Sequence, residues 1–240
     1  MSTLLLRLAA PLQAWGLDSK FDRRGTERAP TKSAVIGMLA AALGRRRDES
    51  ESLIDLSIGL RFGVRVDREG TLLRDFHTAK SVSEKHPYVT QRYYLCDAVF
   101  LVGLQGEDAL LEQLEWALNH PVFPLFLGRR SCPPEGRLTL AINRGKTLEE
   151  VLREVPRLIA VAHGRNRSTD TRLRMIVSAQ TGDEGAYFQR DEPLSFDQTR
   201  REYGFRRVVE TWIDSPADHS HVKHEEQTHT QHNAYAELED

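Results

Sequence analysis

Cysteine is almost missing from these 240 residues: there are only Cys96 and Cys132. Two thiols cannot build a disulfide framework, and this pair lacks the spacing of a zinc site. A reducing, cytoplasmic location is therefore expected. No run reaches the ~18–20 apolar residues a membrane span needs, and the opening Met1-Ser2-Thr3-Leu4-Leu5-Leu6-Arg7 meets a charge too early for a signal peptide. Catalytic fingerprints are missing as well. Gly145-Lys146-Thr147 ends like a phosphate-binding loop, but Leu140 stands where that motif needs glycine. His224-Glu225 opens a zinc-protease pattern, yet Thr228 occupies the place of its second histidine. No Gly-x-Ser-x-Gly elbow and no dinucleotide fingerprint occur. The expectation is no metal, no cofactor and no catalytic motif.

What is present suits an ordinary folded chain, with 40% hydrophobic and 28% charged residues, enough for one large domain or two small ones. The net charge of −2 hides a split. Residues 216–240 carry −5 and five of the nine histidines, and residues 1–215 carry +3. Residues 1–47 alone set nine Lys or Arg against three acids. A polyanionic partner fits the basic part, and the acidic, His-rich tail reads as disordered.

Periodicity places a buried strand over 2–9, a helix over 31–43 closed by Gly44, and an alternating strand over 61–67. In that strand Phe62, Val64 and Val66 face inward, while Arg61, Gly63, Arg65 and Asp67 form a polar outer face. An apolar strand over 98–104, a helix over 107–119 and an alternating segment at 138–142 follow. Strand, helix, strand, strand, helix, strand is the split βαβ order of an α+β ferredoxin-like domain, with helices on one side of the sheet. That assigns residues 1–145 to the first domain. Between its second and third strands lies a long polar insert, 72–96, of the kind that is usually functional or disordered. Residues 146–215 form a smaller C-terminal subdomain, with a helix near 147–154, apolar segments at 158–162, 173–177 and 208–213, and a Gly/Asp/Arg-rich stretch at 164–172.

Basic side chains alternate with aromatics in the loops of this sheet. Trp15 follows the first strand, Arg23 and Arg24 fill the next loop, Arg92, Tyr93 and Tyr94 lie in the insert, and Arg129, Arg130 and Ser131 follow the second helix. Flat rings stack unpaired bases while arginines neutralise phosphates. The free N–H groups at the start of the first helix, near Lys32 and Ser33, offer a further phosphate seat.

Pro11-Leu12-Gln13-Ala14-Trp15-Gly16 and Ala29-Pro30-Thr31-Lys32-Ser33 resemble the opening of the CasD family. The resemblance continues through Arg74-Asp75-Phe76-His77-Thr78, through Arg92-Tyr93-Tyr94-Leu95-Cys96-Asp97-Ala98, and through Pro124-Leu125-Phe126-Leu127-Gly128-Arg129-Arg130-Ser131-Cys132-Pro133. It spans about residues 3–213 and is nearest to the type I-E branch. The family resemblance implies a repeat-associated ferredoxin-like fold with a thumb hairpin inserted where 72–96 lies. It also implies a non-catalytic subunit that grips the 5′ handle of crRNA in antiviral defence. The partners implied are CasA, CasC and the other Cascade subunits, with target DNA met only indirectly and no membrane. Gln13, His77 and Lys80 join the candidate RNA contacts on this basis. The alternative is a metal-independent endoribonuclease, in which His77, Lys80, Tyr93 and Tyr94 supply an acid, a base and charge stabilisation for attack by a 2′-hydroxyl.

Overall fold

The computed structural model describes residues 1–16, 23–80, 87–158, 172–197 and 199–216. The tail from 217, most of the apolar segment at 158–162 and the stretch 164–171 lie outside the described residues. Eleven strands and four helices follow in the order β1 (Ser2–Ala9), β2 (Leu12–Gln13), β3 (Arg23–Arg24), α1 (Lys32–Ala42), α2 (Ser50–Ile58), β4 (Arg61–Arg68), β5 (Thr71–Ala79), β6 (Tyr88–Cys96), β7 (Val99–Gly106), α3 (Asp108–Asn119), β8 (Thr139–Arg144), α4 (Leu148–Glu154), β9 (Arg172–Ser178), β10 (Tyr187–Ser195) and β11 (Glu202–Asp214). The fold is α+β. Seven strands form one antiparallel sheet in the order β10-β11-β9-β4-β7-β1-β8. A smaller sheet is built on β6, which pairs with β5 along one edge and with β2 and β3 along the other.

Alternation along β1 divides the core. Leu4, Leu6 and Leu8 pack with α1, α2 and α3, whereas Leu5 joins Leu101 and the α4 residues Leu148, Val151 and Leu152 on the opposite face. All of these are almost fully buried, and each such side chain contributes about 1.5–3 kcal/mol. Helix α1 starts at Thr31, whose extended backbone and side-chain oxygen cap the amide of Ala34. Helix α4 is set by a complete capping box between Thr147 and Glu150.

The expectation of helices on one side only fails at α4, and the register of two glycines shows why. Gly63 of β4 pairs with Gly103 of β7. Together they leave a flat spot on which Leu148 and Leu152 sit, since a Cβ on Gly103 would lie 2.5 Å from Leu148 Cδ1. The polar outer face expected of β4 is therefore covered. Arg65 and Asp67 are fully buried beneath α4 and paired to each other at 2.6 and 2.9 Å. Arg65 also donates to the carbonyls of Leu152, Val155 and Pro156, the acceptors left over at the end of α4.

Helix α2 and strand β10, neither expected from periodicity, close the other face. Glu192 of β10 accepts from Lys32 Nζ at 2.9 and 3.0 Å and from Ser57 Oγ of α2 at 2.6 Å. Asp191, fully buried, accepts the fork of Arg206 at 2.6 and 2.9 Å and the backbone N–H of Lys32 at 2.9 Å. Strands β9, β10 and β11 thus extend the main sheet and are bolted to the start of α1.

Candidate nucleic-acid interface

Strand β6 organises the candidate site. β3 pairs with it in parallel, Arg23 opposite Gln91 and Arg24 opposite Arg92. The Arg23 guanidinium carbon stands 5.3 Å from the centroid of Tyr93. One strand position on, Tyr94 is buried beneath Arg129, whose guanidinium carbon lies 4.6 Å from its ring centroid. Arg129 comes from the segment after α3. Its neighbour Gly128 holds φ at +88°, and the chain there is fastened by Leu127 N–H to Cys132 O at 2.7 Å and Ala14 N–H to Leu127 O at 3.1 Å. Residues from three distant stretches of sequence thereby meet on β6, with Arg23 and Tyr93 on one face of the small sheet and Arg24, Arg92 and Tyr94, under Arg129, on the other. Arg130 and Ser131 are exposed beside them.

A cleft of about 900 Å³ opens next to this cluster, between the end of α1, residues 123–128 and the turn before β11. Among the described residues, Arg24, Arg45, Arg46, Arg47, Arg129 and Arg201 line it, with Phe123, Phe126 and Phe196 and the two acids Asp48 and Asp197. Asp197 is held below the ordinary aspartate range by hydrogen bonds from the Thr199 hydroxyl and from the Thr199 and Arg200 amides. Burial pushes the Cys132 thiol up, so it stays protonated behind the cluster. Sequence reasoning missed Arg45–Arg47 and Arg201. The run at 45–47 signalled basic charge, but nothing in one chain announces that residue 201 folds back beside it.

Other expected residues are placed differently. Trp15 and Gln13 are core: Trp15 Nε1 donates to Gln13 Oε1 at 3.2 Å, Gln13 Nε2 to Ala98 O at 2.7 Å, and the indole packs edge-on to Phe100. Neither presents a face to solvent. The phosphate seat expected at Lys32 and Ser33 is already filled by the chain itself. Asp191 takes the free N–H at the helix start, Glu192 takes the ammonium, and Ser33 is buried against the Thr31 hydroxyl. Burial pulls the Lys32 pKa below the ordinary lysine value, although Glu192 pushes it the other way.

His77 and Lys80 lie on and just after β5 and are exposed. His77 Nε2 is 2.9 Å from Asp75 Oδ2. The β5–β6 register pairs His77 with Thr90 and Arg74 with Tyr93. Side chains alternate across a ladder, so Tyr93 projects from the opposite face to His77. Tyr94 shares the His77 face but is buried under Arg129. Among the described residues, no group of three or more His, Cys, Asp or Glu is placed to hold a metal ion. None of the described helices is long and apolar enough to cross a membrane.

The family model described as CRISPR-associated protein (Cas_Cas5) matches residues 3–209. The chain belongs to the Cas5 family. Among relatives of this Cas5 chain, the CRISPR system Cascade subunit CasD of Escherichia coli (strain K12) is 41% identical over 150 residues, covering 55% of this chain and 67% of the relative. A chain of a solved CRISPR RNA-guided surveillance complex superimposes with a TM-score of 0.71 at 34% identity, over 90% of this chain and 91% of that one. A crystal structure of a Cas protein matches at a TM-score of 0.66 and 40% identity, over 89% and 97%. The matched residues of the Cas5 family model run from β1 into β11 and take in the whole β3–β6–Arg129 cluster.

Proposed function

We propose that this Cas5-family chain is a non-catalytic, cytoplasmic subunit of a type I-E Cascade surveillance complex. It grips the 5′ handle of crRNA and links CasA and CasC subunits in antiviral defence. The observation that carries this reading is the cluster on β6. Exposed Arg23 stands over Tyr93 on one face of the small sheet, and exposed Arg24, on the other face, enters an arginine-lined cleft with three phenylalanines. Single-stranded RNA is bound by this combination of cations along a backbone path and flat faces for splayed bases. The relatives' names, CasD of Cascade and an RNA-guided surveillance complex, agree with it.

In the same reading, residues 1–145 form the ferredoxin-like domain, with β4-β7-β1-β8 as its four-stranded sheet and β5–β6 as an inserted thumb. Residues 146–215 are the C-terminal subdomain that prolongs that sheet. Separation of His77 and Tyr93 onto opposite faces supports a binding role over the ribonuclease alternative, because general acid and base must reach one phosphate together. The test is incubation of the wild-type chain with repeat RNA in the presence of a chelator. Intact RNA is expected. Cleavage that disappears in His77→Ala would replace this reading with the nuclease.

A further inference from the structure

We infer that Arg129 is a positioning residue: it clamps the Arg23–Gly25 segment onto β6, and Arg24 is the side chain it presents to RNA. The inference rests on the RNA-binding reading above and deepens it.

Arg129 Nη2 donates to the carbonyls of Arg24 at 2.8 Å and Gly25 at 3.2 Å. Its guanidinium carbon stands over the ring of buried Tyr94. Nη1 is out of reach of solvent and has no hydrogen-bond partner, so it faces neither water nor a passing phosphate. The guanidinium that sequence reasoning assigned to a phosphate is therefore turned toward the protein's own loop. That loop needs such a clamp. Among the described residues, β3 is two residues long and pairs with β6 over Gln91 and Arg92. Both β3 side chains are exposed, and Arg24 reaches the cleft. A planar guanidinium can stand over the Tyr94 ring while its Nη2 donates to two neighbouring carbonyls; a lysine keeps the charge but loses the planar group and its reach.

The charge-retaining substitution separates the roles. The full-length wild-type chain, Arg24→Ala, Arg129→Lys and the double variant are titrated with repeat-derived single-stranded RNA across a salt series. Amide hydrogen exchange at residues 24–26 is followed in parallel without RNA. Each lost phosphate contact lowers the salt slope by about 0.7. Positioning predicts that Arg129→Lys lowers the slope by that amount although no charge is removed, that the double variant binds no worse than Arg24→Ala, and that exchange at 24–26 accelerates. A merely structural role would lower affinity with the slope unchanged, and a direct phosphate contact would leave Arg129→Lys close to wild type. Either result, or unchanged exchange at 24–26, overturns the clamp. Faster exchange in Arg129→Lys with no change of slope in Arg24→Ala would keep the clamp but overturn Arg24 as its RNA contact, and with it the placement of RNA at this site.

Discussion

Gly128 and Ala14 meet backbone to backbone: a Cβ on Gly128 would stand 1.6 Å from the Ala14 carbonyl oxygen, in a residue whose φ of +88° already disfavours any side chain. The contact locks the segment that carries Arg129 against the end of β2. Gly128→Ala is expected to destabilise the protein by about 2–4 kcal/mol, seen as a lower melting temperature. A variant that melts like the wild type would show that this contact does not fix the segment.

Lys32 is bound into the protein, and its replacement should act on stability. Lys32→Ala leaves Glu192 with Ser57 as its remaining partner in a largely buried site, a loss on the order of 3 kcal/mol. Denaturant titration reads that loss. The slope of RNA affinity against salt should be unchanged for the protein that remains folded. A slope reduced by one phosphate contact would return Lys32 to the RNA.

Gly103→Ala places a methyl group 2.5 Å from Leu148 Cδ1 and should cost about 1–3 kcal/mol by pushing α4 off the sheet. Adding Leu148→Ala should then destabilise less than it does in the wild-type background. Strict additivity in this double-mutant cycle would mean that α4 does not rest on Gly103.

Glu149 contributes to the acid limb of the stability curve. Burial pushes its pKa up, but the hydrogen bonds and charge of Arg61, together with a backbone N–H, outweigh this and hold it below the ordinary glutamate value. A carboxylate lowered in the folded state adds stability above its unfolded pKa, and that stability is lost as pH falls through the lower folded value. The melting-temperature gap between wild type and Glu149→Gln should therefore be widest near neutrality and close in acid. A gap that widens in acid would reverse the sign of the shift.

Much of this architecture is legible in the sequence. β1, α1, β7 and α3 carry long apolar runs or helical spacing, and their periods survive folding unchanged. β10 was not legible, because it is an edge strand with irregular register between Gln189 and Glu192 and a proline at 193. α2 gave too little signal, its buried apolar residues reducing to Leu53 and Leu56. The burial of Arg65 was hidden for another reason. Its cover, α4, is docked by the Gly63–Gly103 pairing, and register is a property of two strands that neither sequence displays alone. In the site, Arg23, Arg24, Arg92 and Tyr93 were readable as basic and aromatic loop residues. The reversal of Lys32 from phosphate seat to ion-pair partner came from Asp191 and Glu192, about 160 residues away.

The central claim is that the 5′ handle of crRNA lies on the β3–β6 cluster. Photocrosslinking tests it most directly, with a photoreactive base placed in the handle of crRNA assembled into the complete complex, and the attached peptides identified by mass spectrometry. Crosslinks are expected within residues 23–28, 88–96 and 128–133. Crosslinks confined to β10–β11, or handle crosslinks to other subunits with none to this chain, would contradict it.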